Sequence, residues 1–524
     1  MPEAGGVPEA EPAAEEPPAD ELPARDPGTR RWLFADQLGP HFLDTADQPV
    51  LLVESLAALR RSRVHRRKAH LVLSALRHRA AELGGRAELV RAGTYAEALA
   101  RAGVGAPDPV SVCDPTSWGA RRLVRRLDGV RVLASRGFVV SEPQFARWAR
   151  GRGGRRLLME DFYRDVRRHH GLLLDARGGP VGGRWNYDED NREPPPRRER
   201  LAVADPWWPQ EDEIDAGVRE DLDRVEREHG PVFAGDDGPR RFAATRAEAL
   251  TALEHFLAAR LDAFGPHEDA MLAADPWMAH SMLSAPLNLG LLDPLEVARR
   301  AEQVGRARVA HLPSLEGFVR QVVGWRSWVW HLHWHLGEDH VRSNALGARE
   351  PLPDWFERLD PHSAVGANCL AHVLRSVRQE GWTHHVPRLV VLGGWALQRG
   401  YDPAALAEWF RRSFVDGYEW VMTTNVVGIS QHADGGASAT KPYTTGGAYV
   451  DRMSDFCRGC RYDPAVRVGE RACPYTAGYW AFLHRHRERL AANPRMVQPL
   501  RGLDRLPDLE PLLQQEARRG AAPP

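Results

Sequence analysis

The sequence predicts an α/β N-terminal domain built on a doubly wound parallel sheet, followed by an all-helical C-terminal domain. Three observations carry this. Between Arg31 and about residue 150, short apolar runs alternate with helix-period segments, the rhythm of repeated strand–helix–strand units. After about residue 240, helix-period stretches dominate and strand candidates are few. At 524 residues, the chain is also too long for a single hydrophobic core, so two domains or more are expected.

Taken in order, residues 1–28 are rich in Pro, Ala and Glu and poor in large apolar groups, and are expected to form a disordered acidic tail. They carry eight acidic side chains and one arginine, −7 in all, so against a total of −1 the remaining chain is +6. A mildly basic body permits a nucleic-acid surface without requiring one. The α/β domain spans 29–150, with strands expected at "WLFA" (32–35), "VLLVE" (50–54), "AELVRA" (87–92), "PVSVC" (109–113) and "VRVLAS" (130–135). Helical segments such as "RKAHLVLSALRHRAAEL" and "GARRLVRRL" separate these runs, as parallel pairing requires. Residues 151–240 are assigned to an interdomain linker, because 177–210 are crowded with Gly, Pro, Asn and charge; a loop of that length is often functional. From 241 to 515, stretches such as "TRAEALTALEHFLAARLDAF" and "DPAALAEWFRRSF" keep helical period. No run of 18 apolar residues occurs, and the first residues lack the basic and apolar regions of a secretory signal, so a cytoplasmic protein with no membrane partner is expected.

In a reducing compartment, a few cysteines grouped by spacing hold a metal or do chemistry more often than they form disulfides. Cys457, Cys460 and Cys473 give C-x2-C-x12-C followed by Pro474, and Cys369 lies upstream at the start of a predicted helix. A C-x2-C pair lets two thiolates hold one metal centre from a single turn, and two further cysteines close the site. Four sulfurs suit zinc or a [4Fe-4S] cluster. One pair with two single cysteines and a Cys-Pro is nearer to cluster usage, but spacing leaves both open, together with plain buried thiols. Cys113, ending an apolar strand, reads as core. In "HLHWHLGEDH" (331–340), His331 and His335 would share a helix face, yet no HExxH is present and a structural face is expected.

Several segments then carry a family resemblance. "WLFADQLGPHF", "GGRWNYDEDNR", "FGPHEDAM", "HSMLSAPLNLGLLDP", "EGFVRQVVGWRSW", "HHVPRLVVLGGWAL", "YEWVMTTNVVGISQHADGG", "TKPYTTGG" and "RMSDFCRGCRYDP" resemble, in order, the bacterial photolyase-related proteins. These form the iron–sulfur branch of the cryptochrome/photolyase family, which includes the prokaryotic (6-4) photolyases. The resemblance covers nearly everything after the acidic tail. It implies a cryptochrome/photolyase architecture with FAD in the helical domain and a [4Fe-4S] cluster on Cys369, Cys457, Cys460 and Cys473.

The same resemblance implies roles for single residues. Ser281, Leu283 and Ser284 fall near the flavin diphosphate, with Phe264, Gly265 and Asp269 nearby; on local pattern alone the two serines are equally helix N-caps. Asn425 falls in the isoalloxazine-facing segment, where this chain reads "YEWVMTTN" against an expected "YEWVELPN", so Met422 replaces a carboxylate. His384 and His385 match the paired active-site histidines, His385 being the expected proton donor, since an imidazole proton is available near neutral pH. Tyr443 and Gln321 would line the lesion pocket. Trp409 matches an electron-relay tryptophan, although Phe410 beside it is poorly suited to oxidation. Asp36, Gln37 and Glu54 match positions that hold a 6,7-dimethyl-8-ribityllumazine antenna, with Ala58 where a second acid is expected.

The function implied is light-driven repair of UV-damaged DNA, foremost (6-4) photoproducts, by a monomer with no obligate protein partner. Two other readings stand beside it. A cryptochrome-type photosensor would keep flavin and cluster without needing a proton donor; Met422 leans that way and the histidine pair leans against it. An iron–sulfur nucleic-acid-binding module would keep the cysteines and lack flavin.

Overall fold

The five apolar runs become five parallel strands: β1 Arg30–Leu33, β2 Val50–Ser55, β3 Ala87–Ala92, β4 Val110–Cys113 and β5 Val130–Leu133. The computed structural model describes residues 24–55, 58, 61, 63–308, 311–360 and 362–524. Strand order is β3-β2-β1-β4-β5, with Trp32 opposite Leu51 and Arg31 opposite Ser111. The order reverses at β1, which makes the sheet doubly wound and puts a switch-point crevice between β1 and β4. Side chains alternate across it, as the strand period requires. Leu33 and Leu52 pack with Leu71, Leu73 and Leu76 of helix Arg66–Leu83. Trp32, Leu51 and Val53 pack with Leu99 and Val124 on the other face. Cys113 is fully buried, as expected of a core residue.

Two expectations need correction. The acidic tail does not extend to residue 28. Asp26 donates its amide to Asp44 (2.7 Å) and accepts from the Gln48 amide (2.9 Å), and Asp44 in turn pairs the buried Arg31 guanidinium at 2.7 Å; residues 1–23 lie outside the described residues. The segment 151–240 is not a plain linker either, because it holds helices Met159–His170 and Glu213–His229. The first presses Tyr163 against Gly324, where an added Cβ would lie 3.0 Å from the ring. The second starts at an Asp212–Asp215 capping box, and Asp215 is buried on the Arg240 guanidinium at 3.1 Å. Buried charge of this kind persists only when paired.

Beyond residue 240 the described chain is helical, and three helices change winding in the same region. π-helical turns occur at Arg320–Trp325, Pro387–Gly393 and Thr423–Ser430. Such turns disturb the regular ladder and are frequent at functional sites. His331 and His333, each 1% exposed, are core residues: His331 Nε2 contacts the Val140 carbonyl at 3.1 Å and its ring stacks on Phe145 at 4.5 Å. No described helix is long and apolar enough to cross a membrane.

The sheet and the helices share one apolar core, in which Leu38 and Phe42 meet Leu287, Leu289 and Val323. At this seam Leu38 donates its amide to the Leu289 carbonyl at 3.1 Å. Two glycines permit the approach: a Cβ on Gly39 would sit 2.1 Å from the Gly290 carbonyl oxygen, and one on Gly290 2.6 Å from the Asp36 carbonyl. Neither obstacle is a flexible side chain, so the backbones would have to part. Gly39→Ala is expected to destabilise the protein by about 1–3 kcal/mol, the usual range for overpacking, read as a lower urea midpoint; an unchanged midpoint would show that the seam yields freely.

Candidate active site

The three π-helical turns surround a cavity of about 930 Å³, a size suited to a large organic ligand. Ten of the residues expected at the site line it: Phe264, Asp269, Ser281, Leu283, Ser284, Gln321, His384, His385, Asn425 and Tyr443. Segments from six parts of the sequence thus converge on one space. Two expected residues do not reach it. Gly265 lies behind the wall, its amide bonded to Ser314 Oγ at 3.0 Å, and an added Cβ there would be 2.5 Å from Asn191 Oδ1. Trp409 is fully buried behind Phe410, which itself lines the cavity, and its indole donates to the Glu357 carbonyl at 3.0 Å.

At the mouth, His385 Nε2 lies 3.2 Å from Asp269 Oδ1, with the imidazole side chain 44% exposed. Burial pulls the His385 pKa down, but the Asp269 bond and charge, with the nearby Glu268 charge, outweigh it and leave the value raised. His384 is buried, and burial together with neighbouring positive charge holds it well below the histidine range. A third imidazole, His280, stacks on His384 with centroids 4.4 Å apart and 24° between planes, and burial depresses it in the same way. His280 Nε2 and His384 Nδ1 have no hydrogen-bond partner among the described residues. One nitrogen from each of the three histidines lies within 4.8 Å of the others, with His385 edge-on to both His280 and His384. Glu268 is buried, accepts from Gln321 Nε2 at 2.6 Å, and is pushed by burial up to about 7. The arrangement is one imidazole at the mouth that holds its proton more firmly than usual, backed by two that hold theirs less firmly.

Deeper in, Ser284 Oγ donates to Asp416 (2.7 Å), which also takes a two-pronged pair from Arg388 (2.9 and 3.1 Å). Arg326 donates to Asn288 Oδ1 and to the Leu287 carbonyl; both partners are neutral, so its cation faces the cavity without a bonded counter-charge. Met282, on the wall, has φ +60, a left-handed conformation that costs a bulky residue free energy and marks functional segments. Asn425 donates to the Val421 carbonyl at 2.9 Å, leaving its oxygen for other use. Met422 and Trp420 complete this wall. His280, Arg326 and Trp420 escaped the sequence reading. All three lie inside quoted segments, His280 directly before Ser281, Arg326 in "VGWRSW" and Trp420 in "YEWVMTTN", and that position was the available signal.

In the α/β domain, Asp36 and Gln37 stand at the β1 end of the switch point. Asp36 accepts from Thr116, Gln37 Nε2 donates to the Cys113 carbonyl at 2.9 Å, and Asp36 Oδ1 and Gln37 Oε1 are left without partners among the described residues. Glu54 does not join them as a free carboxylate: Arg77 (2.7 and 3.1 Å) and Arg91 (2.9 Å) occupy both its oxygens.

The four cysteines outside the sheet do converge. Cys369 opens helix Asn368–Glu380, Cys473 caps helix Pro474–Arg485, and the Cys460 amide closes a turn on the Cys457 carbonyl at 3.2 Å. Burial first, then the charges of the other three cysteines, pushes the Cys369 thiol well above its ordinary value, and burial followed by the Asp451 carboxylate pushes Cys457 up to about 12. Thiols packed this closely become ligands together only when bound cationic charge offsets their thiolates. Among the described residues, no three of these sulfurs lie within 4.8 Å of one another, whereas a tetrahedral zinc with Zn–S bonds of about 2.3 Å would hold them at about 3.8 Å. Helix Gly447–Met453 joins the two sites: Met453 lines the cavity and Gly447 abuts Cys473 Sγ, where a Cβ would be 2.7 Å away.

Comparison with known proteins agrees in kind. Residues 31–233 match the family described as deoxyribodipyrimidine photo-lyase-related protein. A protein of Agrobacterium fabrum (strain C58) named (6-4) photolyase is 38% identical over 490 residues, covering 89% of this chain and 94% of its own. Among solved structures, a bacterial class III photolyase from Agrobacterium tumefaciens superposes with a TM-score of 0.51 at 18% identity, over 80% of this chain and 82% of that one, a likeness of fold.

The Asp269 contact makes a prediction independent of any reaction. A raised histidine pKa means that the proton is held past the ordinary range and lost as pH rises through the folded-state value. NMR titration should therefore place His385 above an ordinary histidine and move it to lower pH in Asp269→Asn. Equal midpoints in the two proteins would show that the carboxylate does not hold the proton.

Proposed function

The chain belongs to the deoxyribodipyrimidine photolyase-related family, and from that premise we propose that it is a light-driven DNA photolyase whose foremost substrate is the (6-4) photoproduct. The observation that carries this reading is the His385–Asp269 pair at the mouth of the same cavity whose inner wall bears Ser281, Ser284 and Asn425. FAD suits the inner cavity: its volume is ample, the Arg326 cation has only neutral bonded partners, and Met282 holds the "SMLS" backbone in an uncommon turn. When bound, reduced and excited by light, that flavin supplies the electron.

The protein's own residues do the rest. Arg326 and the backbone of Ser281–Ser284 offer charge and donors to a diphosphate, while the Arg388–Asp416 pair fixes Ser284. Asn425 presents an amide to the flavin ring. Gln321 and Tyr443, the latter 42% exposed at the mouth, flank the space for an extruded pyrimidine pair; taking a base out of the stack is how enzymes reach atoms inside a duplex. Arg192, Lys441, Arg452 and Arg495 rim the opening and suit phosphate contacts, which position DNA without reading sequence. His385, charged and facing the mouth, delivers a proton to the hydroxyl transferred during reversal of a (6-4) lesion. His384 and His280, neutral behind it, keep that proton from spreading inward.

A [4Fe-4S] cluster is assigned to Cys369, Cys457, Cys460 and Cys473, supported by four converging thiols too widely spaced for one zinc. A lumazine antenna is assigned to the β1/β4 crevice, supported by the unpartnered oxygens of Asp36 and Gln37 and not by Glu54. Met422, apolar in the inner wall, favours the second reading, a photosensor.

The test is repair of oligonucleotides bearing a (6-4) photoproduct or a cyclobutane dimer by anaerobically purified, reduced protein, in light and in darkness. Light-dependent restoration of the (6-4) strand is expected, falling about 10²- to 10⁴-fold in His385→Ala, the usual worth of a general acid. Iron and acid-labile sulfide should co-purify and be lost in Cys460→Ser. Bound flavin with no repair of either lesion would sink the photolyase reading in favour of the photosensor.

A further inference from the structure

Two aromatic routes lead away from the cavity, and they differ in chemistry. On one wall the ring that meets the cavity is Phe410, with Trp409 behind it at 5.2 Å between centroids. A phenyl ring is far harder to oxidise than an indole, so this side interposes an inert group between the cavity and its tryptophan. On another wall the ring is Trp420. Trp330 follows at 5.7 Å, Trp334 at 5.2 Å from it, and Trp118 at 4.6 Å from Trp334. Trp330 is fully buried, while Trp334 and Trp118 are partly exposed, so the series runs from cavity to surface. Phe138 stacks on Trp330 at 3.9 Å and meets Trp420 edge-on at 5.3 Å, which fixes the rings of the buried step.

We propose that Trp420, Trp330, Trp334 and Trp118 form an electron relay from the surface to the cavity, by which light reduces bound flavin; the proposal rests on the reading that FAD occupies the cavity. The charges along the series set its direction. The Arg326 guanidinium lies 4.9 Å from the Trp420 ring, and that of Arg121 lies 3.3 Å from Trp334. At the outer end the Glu419 carboxylate accepts the backbone amide of Trp118 at 3.2 Å. A positive hole is therefore disfavoured on the inner indoles and favoured on the outermost. Arg121 is itself compensated by Glu142 at 2.6 Å and Asp114 at 3.1 Å, so it biases the passage of the hole without blocking it.

The indole N–H groups of Trp330, Trp334 and Trp118 have no hydrogen-bond partner among the described residues. No bonded base takes the proton of an oxidised indole, and the hole moves outward as a cation. Each light-driven transfer moves one electron inward and leaves one hole on Trp118, which a soluble thiol refills. Two transfers reduce the flavin fully, convert two thiols to one disulfide and release two protons, one of which the flavin takes up.

The experiment uses flavin-loaded protein under anaerobic blue light with a thiol present, following loss of the oxidised-flavin absorbance. Trp330→Phe, and separately Trp118→Phe, should slow this loss by about tenfold or more, a barrier increase of at least about 1.4 kcal/mol, at unchanged flavin content; Trp409→Phe should leave it near the wild-type rate. Transient absorption should show an indole radical in wild type that is lost in Trp330→Phe. Wild-type rates in both relay variants, or collapse in Trp409→Phe alone, would overturn the relay while leaving the flavin reading intact. Protein that purifies without flavin and takes up none would instead overturn the cavity reading, and the relay with it.

Discussion

Some 930 Å³ of space inside a helical fold is the constraint on which the rest of the structure turns. Left dry, a void of that size would cost on the order of 20 kcal/mol at about 24 cal/mol per Å³, more than the roughly 5–15 kcal/mol that holds a typical domain together. Such a space survives only if its walls accept water or ligand and resist collapse. Both properties are visible. Three helices give up regular winding where they meet the cavity, and the Arg388–Asp416 pair spans from the turn after Thr383 to the serine of the opposite segment. The cost of strain at Met282 belongs to the same account, since a left-handed methionine persists only where its surroundings over-determine it.

The electrostatics of the cavity follow from depth. Imidazoles buried near positive charge become neutral, as His280 and His384 do, whereas one beside a carboxylate at the solvent edge keeps its proton. The protein thus separates a proton-holding mouth from an inner chamber whose cation, Arg326, is bonded only to neutral groups. A pocket graded in exposure along one axis thus offers opposite environments at its two ends, as an inner flavin and a proton donor at the mouth would each require.

Much of this was legible in the sequence, and the reasons are local. The central strands were readable as apolar runs buried on both faces of a parallel sheet, β2 and β4 throughout, and the half-exposed edge strands β3 and β5 by apolar residues that alternate with charged ones. The four thiols outside the sheet were readable because ligand spacing is short-range, apart from Cys369. What escaped has long-range causes. Helices 159–170 and 213–229 were hidden within a charged, Gly- and Pro-rich region because their stability comes from burying Tyr163 and Asp215 against distant partners. Glu54 was read by position alone, and only the fold shows that Arg77 and Arg91, from other elements, take its oxygens. His280 and Trp420 belong to the site through neighbours 90 or more residues away in the chain, which no window of sequence contains.

The choice between repair and light sensing then comes down to which part of the cavity the sequence has kept. Met422 removes a carboxylate expected on the inner wall, where it would act on the flavin alone, and both functions tolerate a retuned flavin. The His385–Asp269 pair is different, because a photosensor has no use for a proton donor aimed at the mouth. The fold itself favours the imidazolium there, because the Asp269 contact and the Glu268 charge outweigh the burial that would discharge it. A proton held firmly on the side that faces the mouth is of use to a chain that moves a proton onto a bound lesion, and it is this geometry, not the composition of the inner wall, that separates repair from light sensing.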